Sequence, residues 1–152
     1  MIRLTFVLRR KAGMSLAEFQ QYWREKHGPL VASHATTLNI LRYVQVHTLD
    51  DPANDQLAGA RGIMEKPYDG VAELWWTTRD ALAAPIGSPT GQEAARELAE
   101  DEAKFIDLPN SPLWFAYEYP QVNPCEDLVA REHSAFIKLF FCFRHRPDLS
   151  LD

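Results

Sequence analysis

The chain has 152 residues, a mass of 17.4 kDa and 46% hydrophobic residues, which suits one soluble domain with its own core and excludes a disulfide-framed miniprotein. Lys and Arg number 16 against 21 Asp and Glu, so the net charge is −5, and nucleic acid is excluded as the main partner because phosphate binding needs clustered positive charge. Residues 2–8, rich in β-branched and aromatic side chains, read as the first strand. Lys11-Ala12-Gly13 breaks it. Ser15-Leu16-Ala17-Glu18 is a capping box, and it opens a helix over about 16–27. Gly28-Pro29 is expected to stop that helix. Residues 38–47 read as a second strand, with Arg42, Val44 and Val46 on one face and Leu41, Tyr43, Gln45 and His47 on the other. A polar loop is expected over 48–69. A third strand follows at 71–76 and a short helix at 78–84. A second long helix covers 91–107, with Ala94, Leu98 and Phe105 along one stripe, and a fourth strand covers 114–119. The order β-α-β-β-α-β is that of an α+β, ferredoxin-like split βαβ unit, complete in 1–120.

Residues 121–136 read as a linker, and 137–152 replay the beginning of the chain. Aligned with 2–17 at an offset of 135, they share six identities (Ile2, Leu4, Phe6, Arg9, Ser15 and Leu16). Two readings are open. The segment is the start of a second, tandem unit, or 137–143 is an added strand on a sheet edge. A chance likeness is the bland alternative. Neither Cys125 nor Cys142 has metal-site spacing. Cys142, in the apolar run 140–143, reads as a small buried hydrophobe. No apolar run approaches the ~20 residues of a membrane span, and Arg3, Arg9 and Arg10 interrupt the stretch a signal peptide needs. No membrane partner and a cytoplasmic location are therefore expected.

Leu16, Phe19, Trp23 and His27 recur at spacings of three and four and share one helix face. His27 is then expected at the helix C-terminus, where the dipole favours the imidazolium and burial opposes it. It reads either as a general acid/base or as a cap for the last carbonyls. Phe19, Tyr22, Trp23, Tyr43, Trp75, Trp76, Trp114 and Phe115 form an aromatic inventory that suits a core or a cleft for a flat apolar molecule. Glu73, in the middle of a strand, needs a partner. Asp101 or Glu102, on the second long helix, is placed to approach His27 or to pair with an arginine such as Arg42, the second being favoured. His47 shares its face with Tyr43 and Gln45, and His34 reads as a loop residue. Phosphate loops, a nucleophile elbow and metal-spaced His/Asp/Glu clusters are missing, so an enzyme here is expected to be cofactor-free, with no metal, and to move protons.

The string Phe19-x-x-Tyr22-Trp23-x-x-x-His27-Gly28-Pro29-Leu30 resembles the EthD family. So do Arg42-Tyr43-x-Gln45, the stretch 68–75 and Asp101-Glu102-x-x-Phe105-Ile106-Asp107. The resemblance implies a dimeric α+β barrel with the helices outside, hence a homodimer. It implies a cleft between helices and sheet, with His27 as its catalytic residue and no haem or metal site. Relatives in that family include proteins linked to ether degradation, methylmuconolactone isomerases and polyketide dehydratases. The expectation is thus a cofactor-independent isomerase or dehydratase acting on a small apolar aromatic or polyketide-like compound. Its substrate-binding residues are expected to be Trp23, Tyr43, His47, Glu73 and Trp75. The alternatives are a non-catalytic binding module and a purely structural dimer whose cleft is filled by Trp and Phe.

Overall fold

In the computed structural model, residues 1–62, 65–119, 121–122, 138–142 and 147–148 are described, and the chain divides into two units, Met1–Gln121 and Val122–Asp152. The first unit starts with β1, Ile2–Leu8. Gly13, at φ +90°, turns the chain in a left-handed conformation that side chains resist. Helix α1, Leu16–Tyr22, opens on the expected capping box: Ser15 Oγ accepts from the Glu18 N–H at 3.2 Å, and Glu18 Oε2 accepts from the Ser15 N–H at 2.8 Å.

Gly28-Pro29 does not end the helix. A π-helical stretch, Trp23–His27, leads directly into α2, Gly28–His34. Proline has no N–H for the carbonyl four residues back, and its ring crowds that carbonyl. The helix widens ahead of it, and the Gly28 N–H donates to the Trp23 carbonyl five residues back. A Cβ at Gly28 would stand 2.9 Å from Gln45 Nε2, so the close approach requires glycine. His27 therefore lies inside a continuous helical rod rather than at its end, and the cap expected of it has no terminus to serve. His34 closes α2 instead of sitting in a loop, and its Nε2 meets Glu97 Oε2 at 2.8 Å.

β2 spans Arg42–His47 and starts later than expected, because residues 36–39 turn, with Asn39 at φ 54°. The polar segment 48–69 is not all loop, for it holds a short helix, α3, Ala53–Gly59. β3 is Gly70–Trp76, and α4, Arg79–Ala83, runs into a 3₁₀ turn at Ala84–Gly87. Ser88 caps α5, Pro89–Phe105, by accepting from the Gly91 N–H at 3.0 Å. β4, Leu113–Ala116, is shorter than the expected 114–119.

The four strands form one antiparallel sheet in the order β2-β3-β1-β4, the ferredoxin-like α+β arrangement. Leu4, Phe6, Leu8, Ala72 and Leu74 point to the helical side by the period of two. Phe6, Leu8, Phe19, Trp23, Ala72, Phe105 and Ile106 make the core there.

In the second unit, residues 138–142 form no strand. Residues 137, 143–146 and 149–152, also in the segment expected to replay the chain's beginning, lie outside the described residues, as does Cys125. Cys142 is exposed rather than buried. No helix among the described residues is long and apolar enough to cross a membrane.

Candidate functional site

Between the helices and the sheet lies a cavity of about 220 Å³. Hydrocarbon from β1 and β3 forms its floor, and the lining residues that carry polar side-chain atoms are Trp23, His27, Tyr43, Glu102 and Trp76. An apolar chamber with a few converging polar groups is the usual form of a small-molecule site.

The π-helical turn puts Trp23 and His27 on the same inward face, and both are buried. His27 Nδ1 meets Asp101 Oδ2 at 2.9 Å. Asp101 Oδ1 also accepts from the Tyr22 hydroxyl at 2.8 Å and from Lys104 Nζ at 3.0 Å. Burial pushes the Asp101 carboxyl up, but hydrogen bonds from Tyr22, His27 and Lys104 outweigh it and hold the group below its ordinary value. Burial pushes the His27 imidazole down, and the Asp101 bond only partly opposes that. The ring is therefore neutral at pH 7, with its proton on Nδ1 facing the carboxylate. Nε2 is left with its lone pair. That is the arrangement of an oriented base. The Phe105 ring, 5.1 Å from the imidazole, packs against it.

Tyr43 is held on the other side. Its hydroxyl oxygen accepts from Trp23 Nε1 at 2.9 Å and from Gln45 Nε2 at 3.0 Å. Gln45 Nε2 also donates to the Trp23 carbonyl at 2.9 Å, which uses both amide hydrogens. Both lone pairs of the phenol oxygen are thus occupied, and its O–H remains for a ligand. Burial pushes the phenol up to about 12, hydrogen bonds from Gln45 and Trp23 oppose the rise, and the Glu102 charge adds to it. The group is a donor throughout the neutral range, suited to a carbonyl oxygen.

His47 does not line the cavity. It stacks on Trp23 at 4.6 Å, and its Nε2 meets Gln45 Oε1 at 2.9 Å. Because the amide oxygen only accepts, His47 donates from Nε2 and so sets the amide orientation that Tyr43 depends on. Burial, with Arg24 adding to it, pushes this imidazole from 6.5 down to about 4. Between those values the unfolded chain binds a proton that the folded chain refuses. Stability carried by neutral His47 is complete above pH 6.5 and is lost as pH falls toward 4. The urea midpoint is expected to drop over that range, and to drop less in His47→Gln.

Glu73 and Trp75 are not brought together with His27. Their strand positions alternate with Ala72, Leu74 and Trp76, so they face the opposite side of the sheet. Glu73 is fully buried and pairs with Arg3 Nη1 at 3.1 Å. The Arg42 guanidinium lies 4.6 Å over the Trp75 ring. Arg42 is thus across the sheet from Asp101 and Glu102, and the ion pair expected for them is replaced by the His27–Asp101 bond. Gly70, at the start of β3, is the seat for Trp23, since a Cβ there would stand 2.5 Å from Trp23 Cζ3. Among the described residues, no three His, Cys, Asp or Glu side chains converge as metal ligands.

None of the curated proteins matches the chain. Solved structures do. An EthD family protein of Bacillus halodurans superposes with a TM-score of 0.53 at 13% identity, covering 78% of this chain and 99% of that one. An EthD-like protein of Ralstonia eutropha gives 0.53 at 14% identity, covering 83% and 96%. At such identities the likeness speaks for the fold alone. The EthD domain model matches residues 11–109, which span the capping box, His27, Tyr43 and the Asp101–Phe105 turn but not β1, and the chain belongs to the EthD family.

Proposed function

We propose that this chain is a cofactor-independent acid–base enzyme of isomerase or dehydratase type, acting in the cytoplasm on a small apolar aromatic or polyketide-like compound. One observation carries the reading. A neutral imidazole, oriented by Asp101, borders an apolar cavity that Tyr43 also lines. His27 Nε2 takes a proton from carbon next to a carbonyl, and Tyr43 holds the oxygen on which negative charge grows. Trp23 and Val31 give the cavity apolar walls. A purely structural role expects a filled cleft, and a void stands beside His27 instead.

The test follows the exchange of α-protons of cyclohexanone for deuterium in D₂O by NMR. Exchange above background is expected for the wild-type chain and not for Asp101→Asn. Binding of the ketone without exchange would turn the reading to a non-catalytic small-molecule module.

The proposal includes a homodimer. Its support is the short edge strand β4, where Leu113, Trp114 and Phe115 are exposed. Light scattering is expected to return a mass of twice 17.4 kDa, and a monomer mass would discard the dimer.

A further inference from the structure

We infer that the cavity takes an uncharged carbonyl compound about one ring in size, and that Glu102 is the site's second proton-carrying group, the acid that works with the His27 base. The inference rests on the proton-transfer reading of His27 and deepens it. Asp101 and Glu102 are adjacent on α5 but differ in their surroundings. Asp101 is tied by Tyr22, His27 and Lys104. Glu102 lines the cavity, and among the described residues its carboxyl has no hydrogen-bond or ion-pair partner. Two carboxylates so placed take different roles.

Each wall packed against Glu102 bears on its charge. The π-helical turn supplies neutral His27, α2 supplies Val31, and β2 supplies Tyr43. β1 and β3 supply Leu4, Phe6, Leu8, Ala72 and Leu74, and no Lys or Arg lines the chamber. Burial pushes the Glu102 carboxyl up to about 7, with the Asp101 charge adding to the rise. A protonated carboxyl is therefore well populated at neutral pH and is favoured when an apolar ligand displaces water. An anion would meet the Glu102 carboxyl and no Lys or Arg among the lining residues. A volume of about 220 Å³ exceeds the ~150 Å³ that holds a benzene ring.

A separate acid beside the base suits elimination of water, whereas a 1,3-proton shift needs only one group. With a β-hydroxy ketone the step closes without a co-reactant. His27 Nε2 takes the proton on the carbon next to the carbonyl, and the C–H electron pair becomes the C=C bond. The C–O bond breaks, and Glu102 gives its proton to the departing hydroxyl, which leaves as water. The imidazolium then returns a proton to the Glu102 carboxylate, and both groups are restored.

The experiment titrates the full chain with cyclohex-2-enone and with cyclohex-1-enecarboxylate, rings of one size that differ in charge. The ketone is expected to bind about tenfold or more tighter than the carboxylate. Between a pH one unit below 7 and one unit above, its affinity is expected to fall by about tenfold as the protonated share of Glu102 drops. Asp101, held below its ordinary value, and Tyr43, pushed up to about 12, do not titrate there, and burial holds His27 below its ordinary 6.5. Glu102→Gln is expected to hold the tighter affinity at both pH values. Equal binding of the carboxylate, or an unchanged pH dependence in Glu102→Gln, overturns the inference. If that variant does not fold, the ¹³C carboxyl signal of wild-type Glu102 reads the same point. Titration near 7, moving upward with ketone, supports the inference, and titration near the ordinary 4.5 overturns it. Dehydration of 3-hydroxycyclohexanone, followed by enone absorbance, tests the acid role. A wild-type chain that binds the ketone but forms no enone overturns that role. His27→Ala separates the two readings, since it is expected to lose dehydration and keep pH-linked binding. Full dehydration by His27→Ala would sink the base reading alone, and loss of pH-linked binding in the wild type would sink the Glu102 reading alone.

Discussion

His27→Ala is expected to slow proton transfer by about 10²–10⁴-fold, or about 3–5 kcal/mol of barrier, while the chain stays folded. The fold survives because the imidazole is one of three donors to Asp101, and Tyr22 and Lys104 remain. Asp101→Asn is the sharper companion. The amide keeps the carboxylate's shape but presents N–H to His27 Nδ1, which moves the ring proton to Nε2 and removes the lone pair the reaction uses. A comparable loss of rate is expected with little loss of stability. Deuterium exchange and melting temperature, measured on both variants, decide the matter. Full rate in Asp101→Asn, with rate and stability falling together in His27→Ala, would return His27 to a structural role.

Phe105→Ala is expected to cost about 3–5 kcal/mol of stability. That corresponds to a fall of about 10–20 °C in Tm for a domain of this size. Phe105 is completely buried at the last turn of α5 and packs on Phe19, Tyr22 and His27 with ring centroids 5.1–5.6 Å apart. Its removal leaves a void where the core meets the site, so the imidazole loses the wall that aims it. Phe105→Leu, which refills most of that volume, is expected to cost less than half as much. Urea unfolding measures both. A cost below about 1 kcal/mol for the alanine variant would mean that the neighbouring rings collapse into the space, and that the His27 orientation does not depend on Phe105.

Much of the fold was legible because its signals are local. The Ser15–Glu18 box needs only four residues in a row, and both of its bonds formed. The alternation in β2 put Tyr43, Gln45 and His47 on one face, where they now form one hydrogen-bonded set. Other local readings failed. Gly28-Pro29 reads as a stop, yet the helix widens into a π turn ahead of the proline and continues as α2. Cys142 reads as buried from its apolar run, yet it is exposed, since hydrophobic character alone does not fix burial. For Glu102 the signal was present in the sequence. An acidic residue between Leu98 and Phe105 on an apolar stripe is costly unless it is paired or protonated, and no arginine lines the cavity beside it.

The sequence by itself determined the order of elements, the inward stripe of Phe19, Trp23 and His27, and the family to which these residues belong. Those follow from periods of 3.6 and 2 and from short motifs, which need no knowledge of the rest of the chain. Only the tertiary structure decided that Asp101 rather than Glu102 holds the imidazole, across 74 residues of sequence. It also decided that Glu73 and Trp75 face away, and that a cavity remains between His27, Tyr43 and Glu102. Successive residues on α5 differ by about 100° in direction, so a one-residue change in how that helix seats on the sheet exchanges the roles of the two carboxylates. Packing alone sets that rotation.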